Sequence, residues 1–282
     1  MKGRKPDFLI IGAMKCGTTS LHDYLGKHPE IYTTNPKEIH FFDDKNFDKG
    51  LLNAYYQHFI SEKRICGTSP QGYTKCHQKN YENVPYRLQK YLPYIKLIYL
   101  VRDPIARLVS HHREALSGGY NELSSLENLI DLNLNTNHLV LTSKYFTQLE
   151  HFLKYFSKDQ ILIIESNSLK NNRLNTLNRI FKFLGAYELT NDAIFDYESN
   201  QGFTKRKKSK IYRFFLKNEF LSSKKLLPRK VSEKLKKNKM VKKLMYKPID
   251  SVEISDNLRL KLLAEFREDQ TNLRNYINKQ FL

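Results

Sequence analysis

The stretch Asp7-Phe8-Leu9-Ile10-Ile11-Gly12-Ala13-Met14-Lys15-Cys16-Gly17-Thr18-Thr19-Ser20 decides the fold. Four consecutive large apolar residues ending on glycine are the pattern of a strand buried on both faces of a parallel sheet. A polar, glycine-containing loop follows, and Thr18–Lys27 then reads as a helix closed near His28-Pro29. Strand, glycine turn and helix in that order surround an anion with backbone N–H groups and a helix N-terminus. Gly12 and Gly17 stand at the G-x-x-x-x-G spacing of a Walker loop, but Thr18 occupies the place of its lysine. The lysine sits inside the loop instead, at Lys15, where it can reach a bridging oxygen rather than a γ-phosphate. Lys15, Cys16, Gly17, Thr18, Thr19 and Ser20 are therefore the candidate anion cradle, the last three adding hydroxyls. A ligand-free tight turn and an ordinary Walker-type nucleotidase are the competing readings of these residues.

Outward from this stretch, two more buried strands are expected at Lys96–Val101 and Gln160–Glu165, and a weaker one at Arg64–Gly67. Asp103-Pro104 is helix-start chemistry, a cap followed by an N1 proline. Helices are expected near 80–91, 103–117, 143–156 and 173–184, the last closed by Gly185. Alternating strands and helices predict an α/β fold, a P-loop-type three-layer arrangement with a central, mainly parallel sheet flanked by helices. Ligands of such sheets collect at the carboxyl ends of strands, so Gly12 and Arg102 are expected to face one cleft.

The chain has 282 residues and a net charge of +19, but residues 205–247 carry 18 Lys/Arg against Glu219 and Glu233, a net of +16. The remainder carries only +3 by subtraction, so the basicity belongs to one segment. That segment reads as a Lys-rich helical insertion, and residues 255–278 read as an amphipathic helix returning to the core. We read residues 1–282 as one domain, with 6–200 its nucleotide-binding and catalytic core. No apolar run reaches membrane-spanning length, and Phe8–Ile11 is too short for the core of an export signal. Cys16, Cys66 and Cys76 form no disulfide framework or metal-ligand spacing, which fits a reducing cytoplasm.

Two further segments carry candidate chemistry. Arg102 stands at a strand end with Ser110 eight residues on, able to make a bidentate contact with phosphate. The alternative is a surface pair of Arg102 with Asp103 or Glu114, while Arg107 reads as a solvated or structural helix residue. In Lys37-Glu38-Ile39-His40-Phe41-Phe42-Asp43, Glu38 and His40 share one face if the segment is extended. Solvated acids and a solvated histidine are the plain alternative there, with Phe41 and Phe42 as packing residues.

Together, Pro6–Leu21, Pro36–Asp43 and Leu100–Ser110 resemble the sulfotransferases that use 3′-phosphoadenosine 5′-phosphosulfate (PAPS), and most closely the heparan sulfate enzymes and their bacterial relatives. The resemblance implies that Lys15–Ser20 hold the donor's 5′-phosphosulfate and that Arg102 and Ser110 hold its 3′-phosphate. It implies Glu38 as the base that takes the acceptor's proton, with Lys15 assisting the leaving phosphate and His40 in support. Asp43 matches a supporting position, and Thr68 stands where glycosaminoglycan enzymes carry a substrate-contacting lysine. That replacement argues against a heavily anionic acceptor. Tyr145 is assigned either to the nucleotide and acceptor or to core packing. A basic loop closing over the nucleotide phosphates is expected at Lys205 and Arg206. The implied partners are PAPS, with PAP as product, and a hydroxyl acceptor (a glycan, glycolipid or small metabolite), with no metal and no specific nucleic acid. The basic segment 205–247 is read as solvated, or as contacting acidic lipid or an anionic polymer, which would place a cytoplasmic protein at a membrane periphery. A phosphotransferase using Mg-ATP is the alternative reading of the loop.

Overall fold

The computed structural model describes residues 3–118, 126–131, 133–191, 195, 206–208, 246–248 and 252–279. The expected strands form as β1 (Phe8–Gly12), β3 (Ile65–Thr68), β4 (Lys96–Val101) and β5 (Ile161–Glu165), with a short edge strand β2 (Ile31–Thr33) between the first two in sequence. All five are parallel, in the order β2-β3-β1-β4-β5. β1 lies at the centre and every one of its residues is buried, the reason its sequence is uniformly apolar. The chain builds one side of the sheet through β2 and β3, then crosses β1 to lay down β4. Ligand sites open where strand order reverses in this way, here at the carboxyl ends of β1 and β4.

Helices α1 (Thr18–Lys27), α2 (Leu52–Tyr56), α3 (Val84–Tyr91), α4 (Pro104–Gly118), α5 (Leu126–Asp131), α6 (His138–Leu141), α7 (Tyr145–Leu153), α8 (Ser166–Asn171) and α9 (Arg173–Leu184) flank the sheet, and α10 (Asp256–Lys279) completes the described chain. α4 starts as its sequence dictates: Asp103 Oδ1 accepts from the Ala106 amide at 2.6 Å, satisfying one donor that the first turn leaves open. α9 ends on Gly185 in the left-handed region (φ 83°), with Ala186 N donating to Phe181 O at 2.8 Å.

Leu258, Leu262 and Phe266 of α10 pack with Ile105 and Leu108 of α4, whereas Leu273 and Tyr276 join the main core around the sheet. Asp269 fixes this docking. Its carboxylate accepts from the amides of Phe146 and Thr147 at 3.1 and 2.8 Å, capping α7 from another helix.

The basic segment departs from the helical reading at both described ends. Arg206–Lys208 (β6) pairs antiparallel with Tyr246–Pro248 (β7), Arg206 opposite Pro248. Proline drives the residue before it to extended backbone, which suits Lys247 to a strand rather than a helix. β6 lies beside α4; Lys205 and residues 209–245 lie outside the described residues.

At the β1–β3 junction, a Cβ on Gly67 would stand 2.5 Å from the ring of Phe8, which is wholly buried. Gly67→Ala is expected to overpack this junction and lower the unfolding free energy by about 1–3 kcal/mol, read from urea denaturation.

Candidate active site

The loop between β1 and α1 turns through left-handed backbone twice, at Lys15 (φ 73°) and Gly17 (φ 92°). For Gly17 this conformation is free, but for Lys15 it is strained. Gly12 is required for a different reason: a Cβ there would lie 2.1 Å from Thr74 Oγ1. Protein donors hold the loop's carbonyls. Arg102 Nη1 donates to Lys15 O at 3.2 Å, and the Ser166 hydroxyl at the start of α8 donates to Cys16 O. Ala13 N donates to Leu100 O at 2.8 Å, pinning the loop's entry to β4. Gly17, at the N-cap of α1, has no side chain with which to cap the helix's first turn.

Beside the loop opens a cavity of about 600 Å³. Lys15 lines it from the loop, Arg102 from the end of β4, and Ser110 and Arg113 from α4. Arg102 and Ser110, eight residues apart, are thus brought to one space by the first two turns of α4. Val252, Glu253, Ile254 and Arg259 close the far wall. Neither Asp103 nor Glu114 pairs with Arg102: Asp103 caps α4, and Glu114 Oε2 instead accepts from Lys15 Nζ at 2.7 Å.

Glu38 sits on the other side of the loop, three-quarters buried, amid donors. Gln71 Nε2 donates to its Oε1 at 2.7 Å, Lys37 Nζ lies 2.9 Å from the same oxygen, and His40 Nε2 is 3.2 Å from Oε2. Burial alone would raise the carboxyl's pKa, but His40 and Lys37 outweigh it, and the net shift is downward. The Glu38 contact in turn raises His40 against the opposing effect of burial. Gln71 Oε1 also accepts from Thr18 Oγ1 at 3.1 Å, so one side chain ties Glu38 to the first residue of α1. The segment carrying Glu38 hangs from the end of β3, where Ser69 N donates to Lys37 O at 3.0 Å.

Three assigned side chains cannot touch an acceptor as they stand. Thr68 is fully buried, its hydroxyl accepting from Thr34 Oγ1 at 2.7 Å and donating to Lys37 O at 2.8 Å. Asp43 is buried and spent on Asn46, which donates to it at 2.8 and 3.0 Å, while His40 Nδ1 stands 3.8 Å away. Tyr145 is fully buried beneath the loop, its hydroxyl 3.4 Å from Cys16 Sγ. It therefore takes the packing role, closing edge-on against Tyr99. Burial also pushes the Cys16 thiol up to about 11, so Cys16 can offer the site backbone but not a thiolate. Arg107 is structural: fully buried, it donates to Ser143 Oγ at 2.7 Å and Leu139 O at 2.6 Å. Arg206 lies in β6, beside α4, and Lys205 is outside the described residues.

Sequence reasoning missed Gln71, Ser166, Arg113, Arg259, and the pairing of Glu114 with Lys15. Ser166 had a legible signal, a hydroxyl immediately after the carboxyl end of a buried strand. Gln71 stands just beyond Ser69-Pro70 with nothing in its type to mark it. Lys75, also missed, places Nζ 3.2 Å from Met14 Sδ in the loop, and burial lowers its pKa.

A parallel sheet with a glycine-turn loop at its switch point, and a second cationic element after the next strand, defines an α/β domain of the phosphate-loop type. The family model described as "Sulfotransferase domain" matches residues 5–247, and the chain belongs to that family. It is 35% identical over 193 residues to mouse heparan sulfate glucosamine 3-O-sulfotransferase 5, covering 64% of this chain and 53% of that protein. Human heparan sulfate glucosamine 3-O-sulfotransferase 3B1 is 31% identical over 211 residues, covering 72% of this chain and 52% of its own length. The chain thus spans about half the length of these relatives. A crystal structure of a sulfotransferase from Alicyclobacillus acidocaldarius shares the fold, with a TM-score of 0.65 at 21% identity over 98% of this chain and 96% of that one.

Because Glu114 holds the ammonium of Lys15, an anion entering the loop must displace a carboxylate. Glu114→Gln, which keeps the shape, is expected to tighten binding of adenosine 3′,5′-bisphosphate (PAP) several-fold by titration calorimetry.

Proposed function

We propose that the chain transfers a sulfuryl group from PAPS to a hydroxyl of a carbohydrate or glycolipid acceptor. The observation that carries this reading is the opening of Lys15, Arg102 and Ser110 onto one cavity. Together they offer cationic and hydroxyl groups for a nucleotide with phosphate at both its 5′ and 3′ ends. Glu38, tied through Gln71 to the helix that follows the loop, supplies the base. The carbohydrate acceptor is supported by the heparan sulfate relatives, while a small metabolite is an outcome of the acceptor test below.

The donor's 5′-phosphosulfate lies on Lys15–Ser20 and its 3′-phosphate on Arg102 and Ser110. The acceptor oxygen bonds to sulfur as its proton passes to Glu38. The bond from sulfur to the bridging oxygen breaks, and its electron pair stays on the 5′-phosphate of PAP. Lys15 leaves Glu114 to stabilise that charge, a contact stronger in the transition state than before it. The lowered pKa of Glu38 keeps it ionised, and ready to accept, across neutral pH. We place the protein in the cytoplasm, with segment 205–247 available to an acidic lipid surface or an anionic polymer.

Incubation with ³⁵S-labelled PAPS and a panel of glycans, glycolipids and small metabolites tests the reading, with a parallel arm of γ-labelled Mg-ATP. Label from PAPS alone is expected; label from ATP alone would replace the sulfotransferase reading with phosphotransfer. Glu38→Gln is expected to lose transfer by about 10²–10⁴-fold while still binding PAP. Unchanged turnover removes Glu38 from the role.

The pH profile follows from the Glu38–His40 contact. His40 helps hold the Glu38 pKa down, so His40→Ala should raise it. The acid limb of kcat/KM is then expected to move to higher pH, the base being protonated earlier as pH falls.

A further inference from the structure

The wall of the cavity opposite Arg102 comes from an unexpected part of the chain. Val252 and Ile254 pack with the cluster of Ile105 and Val109 of α4 and line the cavity with them, and Arg259 in the first turn of α10 completes the lining. α10 cannot drift from this position, because Leu258 and Leu262, flanking Arg259 in sequence, are buried against α4. At the first turn of a helix a cation opposes the helix dipole, so Arg259 gains nothing there from its own helix. Among the described residues, no carboxylate lies within ion-pair distance of Arg102, Arg113 or Arg259. With Lys15 these three guanidinium groups face only Asp103 and Glu253 in the cavity lining, so its balance is cationic and an entering anion is favoured. Ile105, Val109, Val252 and Ile254 give the same cavity apolar surface on which an aromatic base can lie.

We propose that Arg259 is a third ligand of the donor's 3′-phosphate, joining Arg102 and Ser110 from the C-terminal helix. The purine lies against Ile105, Val109, Val252 and Ile254, and Arg259 crosses over its ribose edge to the phosphate. The donor is then clamped between α4 and α10, with the C-terminal helix as a working part of the nucleotide site. This assignment rests on the PAPS reading above.

The experiment compares binding of PAP and of adenosine 5′-monophosphate, which lacks the 3′-phosphate, by titration calorimetry. The wild-type protein should prefer PAP strongly. Arg259→Gln is expected to weaken PAP binding by about 10–100-fold, the range of a charge-assisted hydrogen bond, and to leave the monophosphate unchanged. Arg259→Lys should recover part of the loss. A simple folding defect would weaken both nucleotides together, as would a role in holding the base; that result, or an unchanged preference for PAP, overturns the assignment. Wild-type protein that binds neither nucleotide overturns the donor reading itself, and the role of Arg259 with it.

Discussion

The site depends on one constraint of backbone geometry. β1 occupies the centre of the sheet, so its chain must leave between two neighbouring strands and turn at once into α1. Gly12 passes Thr74 with no room for a Cβ, Lys15 is forced into left-handed backbone, and Gly17 adopts the same region freely. Strain of this kind persists only where surroundings over-determine the conformation. Here Arg102, Ser166 and Leu100 do so, each bonding a different backbone group of the turn. Arg102 therefore has two tasks, holding the loop through Lys15 O and presenting the rest of its guanidinium to the cavity.

Charge at the site is balanced before any ligand arrives. Lys15 is matched by Glu114, and Glu38 is matched by Lys37 and His40. A half-buried ammonium or carboxylate left alone would bear the full cost of desolvation. Pairing offsets that cost for both groups. On the proposed reading the donor would exchange partners with Lys15 instead of neutralising a bare cation. The cavity beside the loop carries Lys15, Arg102, Arg113 and Arg259 against Asp103 and Glu253, a lining that is cationic in balance.

Much of this was legible in the sequence, for physical reasons. Buried parallel strands carry continuous apolar runs, so β1, β4 and β5 were visible without structural help; β2, three residues long at the sheet edge, has too little pattern to read. Asp103-Pro104 and Gly185 marked helix ends because capping and left-handed backbone restrict residue choice. The tight turn between β1 and α1 was readable from its glycine spacing. Side-chain partners were not. Nothing local indicates that Glu114 meets Lys15, 99 residues away, or that Gln71 bridges Thr18 and Glu38. The burial of Thr68 and Tyr145 likewise follows from how β3 and α7 pack, which residue type alone does not disclose. At the two described ends of the basic segment the residues are strand where a helix was expected, and Pro248, which drives its neighbour to extended backbone, is the local signal for it.

The pairing of β6 with β7 has a consequence for where the chain's charge is held. Arg206 and Pro248 face each other across one ladder, so the basic segment enters and leaves at points about 5 Å apart. The ladder fixes both ends of the segment to one another and, through β6, to α4. Most of the chain's net positive charge is thereby bracketed by a single two-stranded clasp at the edge of α4.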